Sequence, residues 1–432
     1  MQMPTTICFR LNSSLVERHI TPEHRKYNVM KKISILSIIL LSFFTSHLCV
    51  CEAQTVKYAK YYDAAKQKPA VEGLMYTDST RTGDWTWWHP NGQVYQRGTY
   101  NDEGEKTGLW RIFYDNGAKC AEECYDNGTT RQWYENGKLK SEVPVVNGVK
   151  HGMYRAYFQN GKTQEEINFV NGSREGATKE WYSNGKVLFE GTYKDNELNG
   201  QATWYTATGK KDMEGRLVDG EQEGEWIFYW RTNGRKGIVG HYSSGVESGT
   251  WTYYYETGQK WRSGEYVDGK RRGLWTTWYE SGKKLHEGKY FNDLEDGAWT
   301  AWYESGKVDY KGIFRGGKKD GEWTGYYEDG QPRYKINYTD DKLNGTSTRY
   351  YTNGKVESVE NYKMDVRDGK YERYNQAGGL EESGTFADGQ KDGTWKWYDR
   401  GVEVYIGRFE DGKMVSKEDK VPSKTEVRKR KG

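Results

Sequence analysis

One pattern recurs along most of the chain and limits the folds that it can adopt. A glycine stands two residues before a leading, usually aromatic position, and its copies are Gly83, Gly108, Gly128, Gly152, Gly176, Gly200, Gly224, Gly249, Gly273, Gly297, Gly321, Gly345, Gly369 and Gly393. Ten of the thirteen steps between them are 24 residues long. A fixed period of this length is the signature of a repeat protein, whose units bury apolar surface against their neighbours.

The copy over residues 273–296 shows the parts of one unit. Trp275 and Trp278 lie in a short aromatic segment that predicts a strand. Ser281-Gly282 follows where other copies carry Asn-Gly, which tolerates positive φ at both central positions of a hairpin turn. A second strand ends at Tyr290, and an acidic turn leads to the next copy. Each unit is therefore predicted to be two strands joined by tight turns.

The aromatic positions also indicate how the strands are layered. Side chains alternate between the two faces of a strand, so Trp275 and Trp278 should point to opposite faces. Both faces then carry aromatic residues, which does not suit a two-sheet sandwich. We expect an all-β fold, an elongated single-layer antiparallel β-hairpin array of about 14 units, held together by aromatic contacts between strands and between repeats.

Composition agrees with a thin structure and argues against one class of partner. Only 34% of the residues are hydrophobic, but 36 Tyr and 18 Trp can each bury a large surface while keeping a polar edge in water. The net charge is +3, with both signs mixed along the chain, so nucleic acid is not expected as a partner. The one basic run, 424–431, is expected to be a solvated, disordered end.

Residues 30–53 have the order of a secretory signal. Met30 is followed by Lys31 and Lys32, then by an apolar run and by small residues at the end. We expect cleavage between Ala53 and Gln54 and export to the periplasm, the outer surface or the medium. On this interpretation residues 1–29 are a mis-annotated or disordered extension.

Two other interpretations of this segment stay open. If residues 1–29 are translated, residues 33–50 could anchor the chain in a membrane. If Cys51 carries a lipid, the protein is a lipoprotein, although Val50 fits poorly before such a cysteine. The remaining boundaries predict an N-terminal cap or half repeat over 54–82, repeats over 83–416 and a basic disordered tail over 417–432.

The recurring element G-x-W-x-x-[WY]-Y-x-x-G-K carries a family resemblance. It is seen at 273–283, 297–307 and, with threonine at the leading position, 176–186. The chain resembles the bacterial variant of MORN repeats, often labelled antitoxin-like, over about residues 60–415. This resemblance implies a β-hairpin array with a binding or scaffolding role, and eukaryotic MORN arrays are associated with membrane-proximal scaffolds and phospholipids. A cytoplasmic antitoxin role suits an exported chain poorly.

Residue patterns that carry catalysis or bind metals are not found in the repeats. His89, His151 and His286 occupy different positions of the repeat, and His241 shares none of the usual metal-ligand spacings. Cys120 and Cys124 would lie about 13 Å apart on an extended strand, too far for a disulfide without a local turn. We expect no catalytic residue, no cofactor and no metal, and hence not an enzyme.

The tryptophans are the candidate binding residues. Their structural interpretation is that they hold neighbouring hairpins together, and their functional interpretation is an exposed stripe on which a ligand stacks. The candidate stripe is Trp85, Trp88, Trp110, Trp226, Trp251, Trp275, Trp278, Trp299, Trp302, Trp323 and Trp395. We expect a non-catalytic exported scaffold with a protein partner, and a glycan, cell-wall or membrane surface as the alternative.

Overall fold

The computed structural model describes residues 54–420. These residues form one antiparallel sheet of 33 strands, with no helix in this range, so the predicted all-β hairpin array is confirmed. Strands pair with the neighbours that precede and follow them in the sequence. The signal expected over 30–53, the extension over 1–29 and the basic run lie outside the described residues.

The strands of the described range follow one another at nearly constant spacing. Their bounds are β1 Thr55–Tyr61, β2 Pro69–Tyr76, β3 Arg81–Trp88, β4 Val94–Tyr100, β5 Lys106–Phe113, β6 Lys119–Cys124, β7 Gly128–Trp133, β8 Leu139–Val146, β9 Val149–Lys150, β10 Gly152–Tyr157, β11 Thr163–Val170, β12 Ser173–Trp181, β13 Val187–Lys194, β14 Glu197–Leu198, β15 Gly200–Tyr205, β16 Lys211–Val218, β17 Glu221–Tyr229, β18 Lys236–Ser243, β19 Val246–Tyr254, β20 Lys260–Val267, β21 Lys270–Trp278, β22 Lys284–Phe291, β23 Leu294–Trp302, β24 Val308–Arg315, β25 Lys318–Tyr326, β26 Pro332–Thr339, β27 Lys342–Tyr350, β28 Val356–Lys363, β29 Val366–Tyr374, β30 Leu380–Ala387, β31 Gln390–Asp399, β32 Val402–Glu410 and β33 Lys413–Asp419.

The strand count matches the repeat count. β9 and β14 are two-residue pieces that continue as β10 and β15 after one residue. With each such pair taken as one strand, β3 to β32 provide 28 strands, which are the two strands of each of the 14 copies. β1 and β2 form an antiparallel pair that precedes the first copy, within the segment 54–82 for which a cap or half repeat was predicted. β33 runs three residues into the segment 417–432 for which a disordered tail was expected.

The two turns of a unit have different geometries, and the geometry predicted for the first, Asn-Gly turn is wrong. At the first turn of the unit that begins at Gly345, only Gly354 has a positive φ, 79°, and its N–H donates to the Tyr351 carbonyl at 2.9 Å. This is a type I turn followed by a left-handed glycine, not the two-residue turn expected for Asn-Gly. Positive φ at both central residues occurs at the other turn, as at Asn292 (50°) and Asp293 (70°).

The asparagine of the first turn is used for its side chain. The Oδ1 of Asn353 accepts the N–H of Lys355 at 3.0 Å, and its Nδ2 donates to the carbonyl of Gln376, in the turn of the next unit, at 2.7 Å. The same cross-unit bond is made by Asn91, Asn160, Asn184 and Asn233. Asparagine therefore joins successive turns here, which explains its recurrence without a left-handed backbone.

The leading tryptophan of a unit lies against a glycine of the preceding strand. A Cβ on Gly264 would come 2.1 Å from the Trp275 ring, and the indole Nε1–H donates to the Glu265 carbonyl at 3.2 Å. Any larger residue than glycine at this position would displace the indole. The eight pairs are Gly73 with Trp85, Gly98 with Trp110, Gly215 with Trp226, Gly240 with Trp251, Gly264 with Trp275, Gly288 with Trp299, Gly312 with Trp323 and Gly384 with Trp395.

Tyrosine and phenylalanine rings fill the spaces between successive indoles. Tyr290 meets Trp275 and Trp299 edge-on, at ring-centroid distances of 6.1 and 5.3 Å. Such perpendicular pairs each contribute roughly 0.5–1.5 kcal/mol beyond area burial. The longest unbroken series is Trp226, Tyr242, Trp251, Tyr266, Trp275, Tyr290, Trp299, Phe314 and Trp323, and we call it the aromatic ladder. The predicted aromatic contacts between repeats are thus present.

Cations cover the outer surface of several indoles, so a single layer can bury them. The Lys391 Nζ lies 3.9 Å from the centre of the Trp395 ring, and Lys319 lies 4.8 Å from Trp323. The lysine stem covers apolar surface while its charge faces both the ring and water. Gly384 below, Phe386 and Phe409 at the sides and a cation above together leave Trp395 fully buried.

Units without a leading tryptophan fill the same space in another way. Ser347 pairs with Ile336 and Thr178 pairs with Ile167, and all four side chains are buried. In these two units a small leading residue is matched by a large one on the preceding strand, whereas a leading tryptophan is matched by glycine. The volume of the pair is kept roughly constant, as close-packed interiors require.

A second contact joins each unit to the next along the edge of the sheet that holds the first turns. The Tyr279 hydroxyl donates to the Trp302 carbonyl at 2.9 Å. Nine tyrosines make this bond to a residue 19 to 26 positions ahead, at 2.7–2.9 Å: Tyr62, Tyr114, Tyr134, Tyr182, Tyr255, Tyr279, Tyr303, Tyr327 and Tyr351.

Replacement of the glycine–tryptophan pair by the isoleucine–serine pair tests whether the combined volume of the pair determines its stability. Trp323→Ser should lower the free energy of unfolding by roughly 3–5 kcal/mol, since it leaves a cavity, and Gly312→Ile should lower it because the new side chain meets the indole. The double variant reproduces the Ile336 and Ser347 pair and should recover about 1–3 kcal/mol relative to the sum of the two losses.

Urea unfolding followed by circular dichroism measures these differences, with the exposed Lys335→Gln as a control that should leave stability unchanged. Purely additive losses in the double variant would contradict the matched-volume explanation.

Candidate interaction surface

The structure divides the eleven candidate tryptophans between the two faces of the sheet. The eight leading ones lie on one face, which we call the indole face, and each is at most 6% exposed. Their rings contact the chain itself, so no partner can stack on them while the sheet stays intact. Trp88, Trp278 and Trp302 lie on the opposite face and are only partly buried. The opposite-face direction predicted for Trp275 and Trp278 is therefore observed.

Four exposed apolar side chains accompany two of these tryptophans. Leu274 is 54% exposed, Phe291 51%, Leu294 50% and Ile313 46%, although a sheet surface in water usually carries polar residues. Phe291 and Leu294 are register partners across the turn between β22 and β23. Leu274 pairs with Lys289, two residues before Phe291 on the same strand.

These residues form one surface, which we call the apolar patch: Leu274, Trp278, Phe291, Leu294, Trp302 and Ile313. Register partners share a face and side chains alternate along a strand, so all six lie on the face opposite the indole face, on the four consecutive strands β21 to β24. The aliphatic residues and Phe291 lie toward the edge that holds the acidic turns, and the two tryptophans lie toward the other edge.

The middle of the apolar patch is a closed polar network. Glu287 accepts hydrogen bonds from Thr276 at 2.8 Å and from Lys284 at 2.7 Å. Burial alone would raise the pKa of Glu287, but these two donors outweigh it and lower the pKa. The Lys284 Nζ also lies 5.5 Å from the centre of the Trp302 ring. The charges of this network are paired within the chain, so the unpaired surface of the patch is its apolar part.

The sequence analysis missed four of the six patch residues because it followed the aromatic columns. Leu274 occupies a column that holds Glu225 and Glu322 in other copies. Leu294 occupies a column of lysines such as Lys318, and Ile313 corresponds to Lys289 of the preceding unit. A comparison of copies, column by column, would have found apolar residues where the pattern calls for charged ones.

Titratable side chains of the described residues are spread along the sheet. His286 leans on Trp299 at 5.6 Å, and burial lowers its pKa. Its Nδ1 and the Nε of Arg262, two strands away, are buried and have no hydrogen-bond partner within residues 54–420. Cys120 and Cys124 are free thiols, both half-buried on β6. In this range no three His, Cys, Asp or Glu side chains are close enough to hold a metal ion.

Two carboxyl groups face each other on the indole face. Glu165 and Glu180 are register partners on β11 and β12, beside the Ile167 and Thr178 pair. Burial raises the pKa of both groups, the charge of Glu165 raises that of Glu180 further, and Arg174 opposes the shift for each of them. Because the folded state holds a proton more tightly than the unfolded chain, this pair costs stability at neutral pH and costs less as the pH falls.

The proteins to which this chain is similar are repeat proteins or far larger assemblies. The profile of the MORN repeat variant family matches ten segments that together cover half of the chain: 81–102, 106–127, 126–147, 150–171, 174–195, 247–268, 271–292, 295–315, 319–340 and 343–364. No curated protein matches the chain. Within residues 54–420 no helix is long and apolar enough to cross a bilayer.

Some similar solved structures are toxin complexes. The crystal structure of TcdB2-TccC3-TEV is 10% identical, and the match covers 84% of this chain and 21% of that one with a TM-score of 0.15. A Photorhabdus luminescens Tc holotoxin pore mutant is 11% identical, with 82% and 23% covered and a TM-score of 0.14. This chain thus spans about a fifth to a quarter of the length of those chains.

Removal of one carboxyl group of the facing pair should stabilise the fold. Glu180→Gln is expected to raise the free energy of unfolding at pH 7 by roughly 0.2–1 kcal/mol, the usual effect of opposed like charges on a sheet. The gain should shrink as the pH falls below the raised pKa values. Urea unfolding at several pH values measures this.

Glu166→Gln serves as the control, since Glu166 lies on the other face and pairs with Arg155 at 3.1 Å. This control should not stabilise the protein at any pH. A stabilisation by Glu180→Gln that stays constant down to the ordinary glutamate range would refute the repulsion between the two carboxylates.

Proposed function

Because this chain belongs to the MORN repeat variant family, we propose that it is an exported, non-catalytic scaffold that holds a protein partner on the apolar patch. Repeats of this family generally mediate interactions with proteins or with membrane lipids. The observation that carries the proposal is the set of four aliphatic and phenyl side chains, each about half exposed, on four consecutive strands.

The apolar patch has the composition of a protein-binding surface. Contiguous exposed apolar side chains with polar residues around them mark interaction sites, and aromatic residues contribute most to binding at such sites. Phe291 and Trp302 supply the aromatic rings, and the Arg272 guanidinium lies 5.1 Å from the Phe291 ring at the rim. The sheet beneath holds these side chains in fixed positions, so little conformational freedom is lost on binding.

Export and the absence of catalysis rest on different observations. The order of charged, apolar and small residues over 30–53 supports export through a cleaved signal. The polar side chains of the described repeats support a non-catalytic role, because the tyrosine hydroxyls and asparagine amides are engaged in bonds to neighbouring units. The polar groups that recur most often thus stabilise the array.

A glycan is the second candidate partner. Trp278 and Trp302 are partly exposed on one face and two strands apart, at equivalent positions of consecutive units. Indole rings in this arrangement are suited to stacking against sugar rings along an extended chain. The same surface therefore serves both candidates, and only the partner that is captured distinguishes them.

Crosslinking in intact cells tests the proposed partner surface. The double variant Leu274→Ser with Phe291→Ser should reduce capture of the protein partner at least tenfold, because the two most exposed apolar residues of the patch are lost. The matched control is Val146→Ser with Val149→Ser, which removes two similarly exposed residues from β8 and β9.

Equal capture by the two double variants would overturn the apolar patch as the site. Release of the captured material by free sugar would instead identify a glycan. Binding to liposomes that weakens at high ionic strength would identify a membrane surface.

The mature N-terminus tests export. Edman sequencing or mass spectrometry of the chain from the periplasm or medium should begin at Gln54, since cleavage follows Ala53. A mature chain that begins well before Gln54 and stays with the membrane fraction would support the anchor over residues 33–50 instead.

A further inference from the structure

The aromatic ladder of the indole face is interrupted at one unit. Ser347 stands at the leading position where the two preceding units carry Trp299 and Trp323. Tyr338 occupies the position of Tyr290, yet no ring of the described residues contacts it. The edge-to-face contacts resume with Tyr371, Phe386 and Trp395. One leading ring, at position 347, is thus absent between the aromatic ladder and the contacts that follow it.

A groove with a volume of about 450 Å³ lies at this interruption. Tyr334 and Tyr338 line it on β26, with the buried Ile336 between them. Arg349 lines it from β27, and Arg333 and Glu357 lie toward the edge that holds the first turns. This volume lies within the range of pockets that take a small molecule or a single large side chain.

The aromatic residues of the groove have adapted to the absent indole. In the preceding unit the Tyr310 ring lies 5.8 Å from the Trp323 ring and is tilted by 32° to it. Tyr334 has no such partner and instead lies over Gly325, where a Cβ would come 2.2 Å from its ring. Lys319 lies 5.1 Å from the centre of the Tyr338 ring, as Arg271 lies 4.0 Å from that of Tyr290. The edge-to-face contacts that Tyr290 receives from its own indoles are therefore the ones that Tyr338 can receive from outside the chain.

The charge of the groove indicates what accompanies such a ring. Arg349 is exposed and makes no ion pair or hydrogen bond within residues 54–420. Arg333 donates to Asp309 at 3.5 Å, and its guanidinium lies 5.3 Å from the centre of the Tyr334 ring. With Glu357 the groove has one excess positive charge. A guanidinium with free N–H groups binds a carboxylate through two parallel hydrogen bonds.

We propose that this groove binds an aromatic side chain of a partner protein together with an adjacent carboxylate. The ring occupies the space between Tyr334 and Tyr338 above Ile336, and the carboxylate binds Arg349. The inference rests on the proposed function in one respect, that the occupant belongs to a protein. The groove lies on the indole face, so this contact is separate from the apolar patch.

Titration of the purified full-length chain with two probes tests the groove. N-acetyltryptophan carries an indole and a carboxylate, and N-acetyltryptophan amide carries the indole alone. Saturation-transfer NMR should show that the carboxylate probe binds, and that the amide binds at least threefold more weakly. Arg349→Gln should remove this difference between the two probes.

The matched control is Arg373→Gln, one unit further along the same column. Arg373 lies 3.5 Å from Glu381 and 3.7 Å from Glu382, so its charge is already paired. The control should leave both titrations unchanged.

A variant that fills the gap gives an independent test. Ile336→Gly with Ser347→Trp reproduces the neighbouring Gly312 and Trp323 pair, so the chain's own indole should exclude the probe and weaken its binding at least tenfold. Circular dichroism establishes whether this variant is folded. If it is not, the comparison with Arg349→Gln decides the test.

Three results would overturn the groove: unchanged binding by the folded gap-filling variant, equal binding of the two probes, or displacement of the carboxylate probe by glucuronate at lower concentration, which would identify an acidic sugar. The titrations use the isolated chain. They are therefore independent of whether the Leu274 and Phe291 variant loses its partner, and either proposal can fail alone.

Discussion

The contact between an indole and a bare glycine determines the arrangement of the sheet. The Trp275 ring lies on the backbone of the preceding strand, and its N–H bonds to the carbonyl one residue beyond Gly264. The pair fixes the register of two strands in two ways, because the ring fits only over a glycine and its N–H needs the carbonyl that follows. Because the glycine and the tryptophan belong to successive hairpins, each such contact also joins two repeats, and the tyrosines that fill the ladder depend on where the indoles lie.

This arrangement explains how a chain with 34% hydrophobic residues forms an extended sheet without a second layer. Eight units contribute a large buried indole, which is enclosed by its own neighbours and in places by a lysine. The edge bonds from Tyr279 and its equivalents, and those from Asn353 and its equivalents, add a polar connection between the same units. Stability is thus a sum over neighbouring units, as in other repeat proteins.

Much of the fold followed from the repeat and less of the candidate site did. The period, the two strands in each unit and the opposite directions of Trp275 and Trp278 could be predicted, because strand alternation and spacing are local properties. The turn geometry at Asn-Gly could not, since the asparagine is used for a bond 23 residues ahead. Trp275 is buried and Trp278 is partly exposed, but this difference depends on contacts with neighbouring strands and could not be predicted from local spacing. Leu274 and Phe291 matter as exceptions to the repeat, and a search for recurrence overlooks them.

The matched pairs have a consequence for how such an array can change in length. The period in the sequence runs from glycine to glycine, but the closely packed pair spans its boundary, because Ile336 belongs to one copy and Ser347 to the next. Duplication or loss of a copy that cuts between them would set isoleucine against tryptophan, or glycine against serine. Recombination in this gene should therefore be tolerated between copies that carry equivalent pairs. Between copies that carry different pairs, it should disrupt the packing. The inherited module is the interface between two repeats.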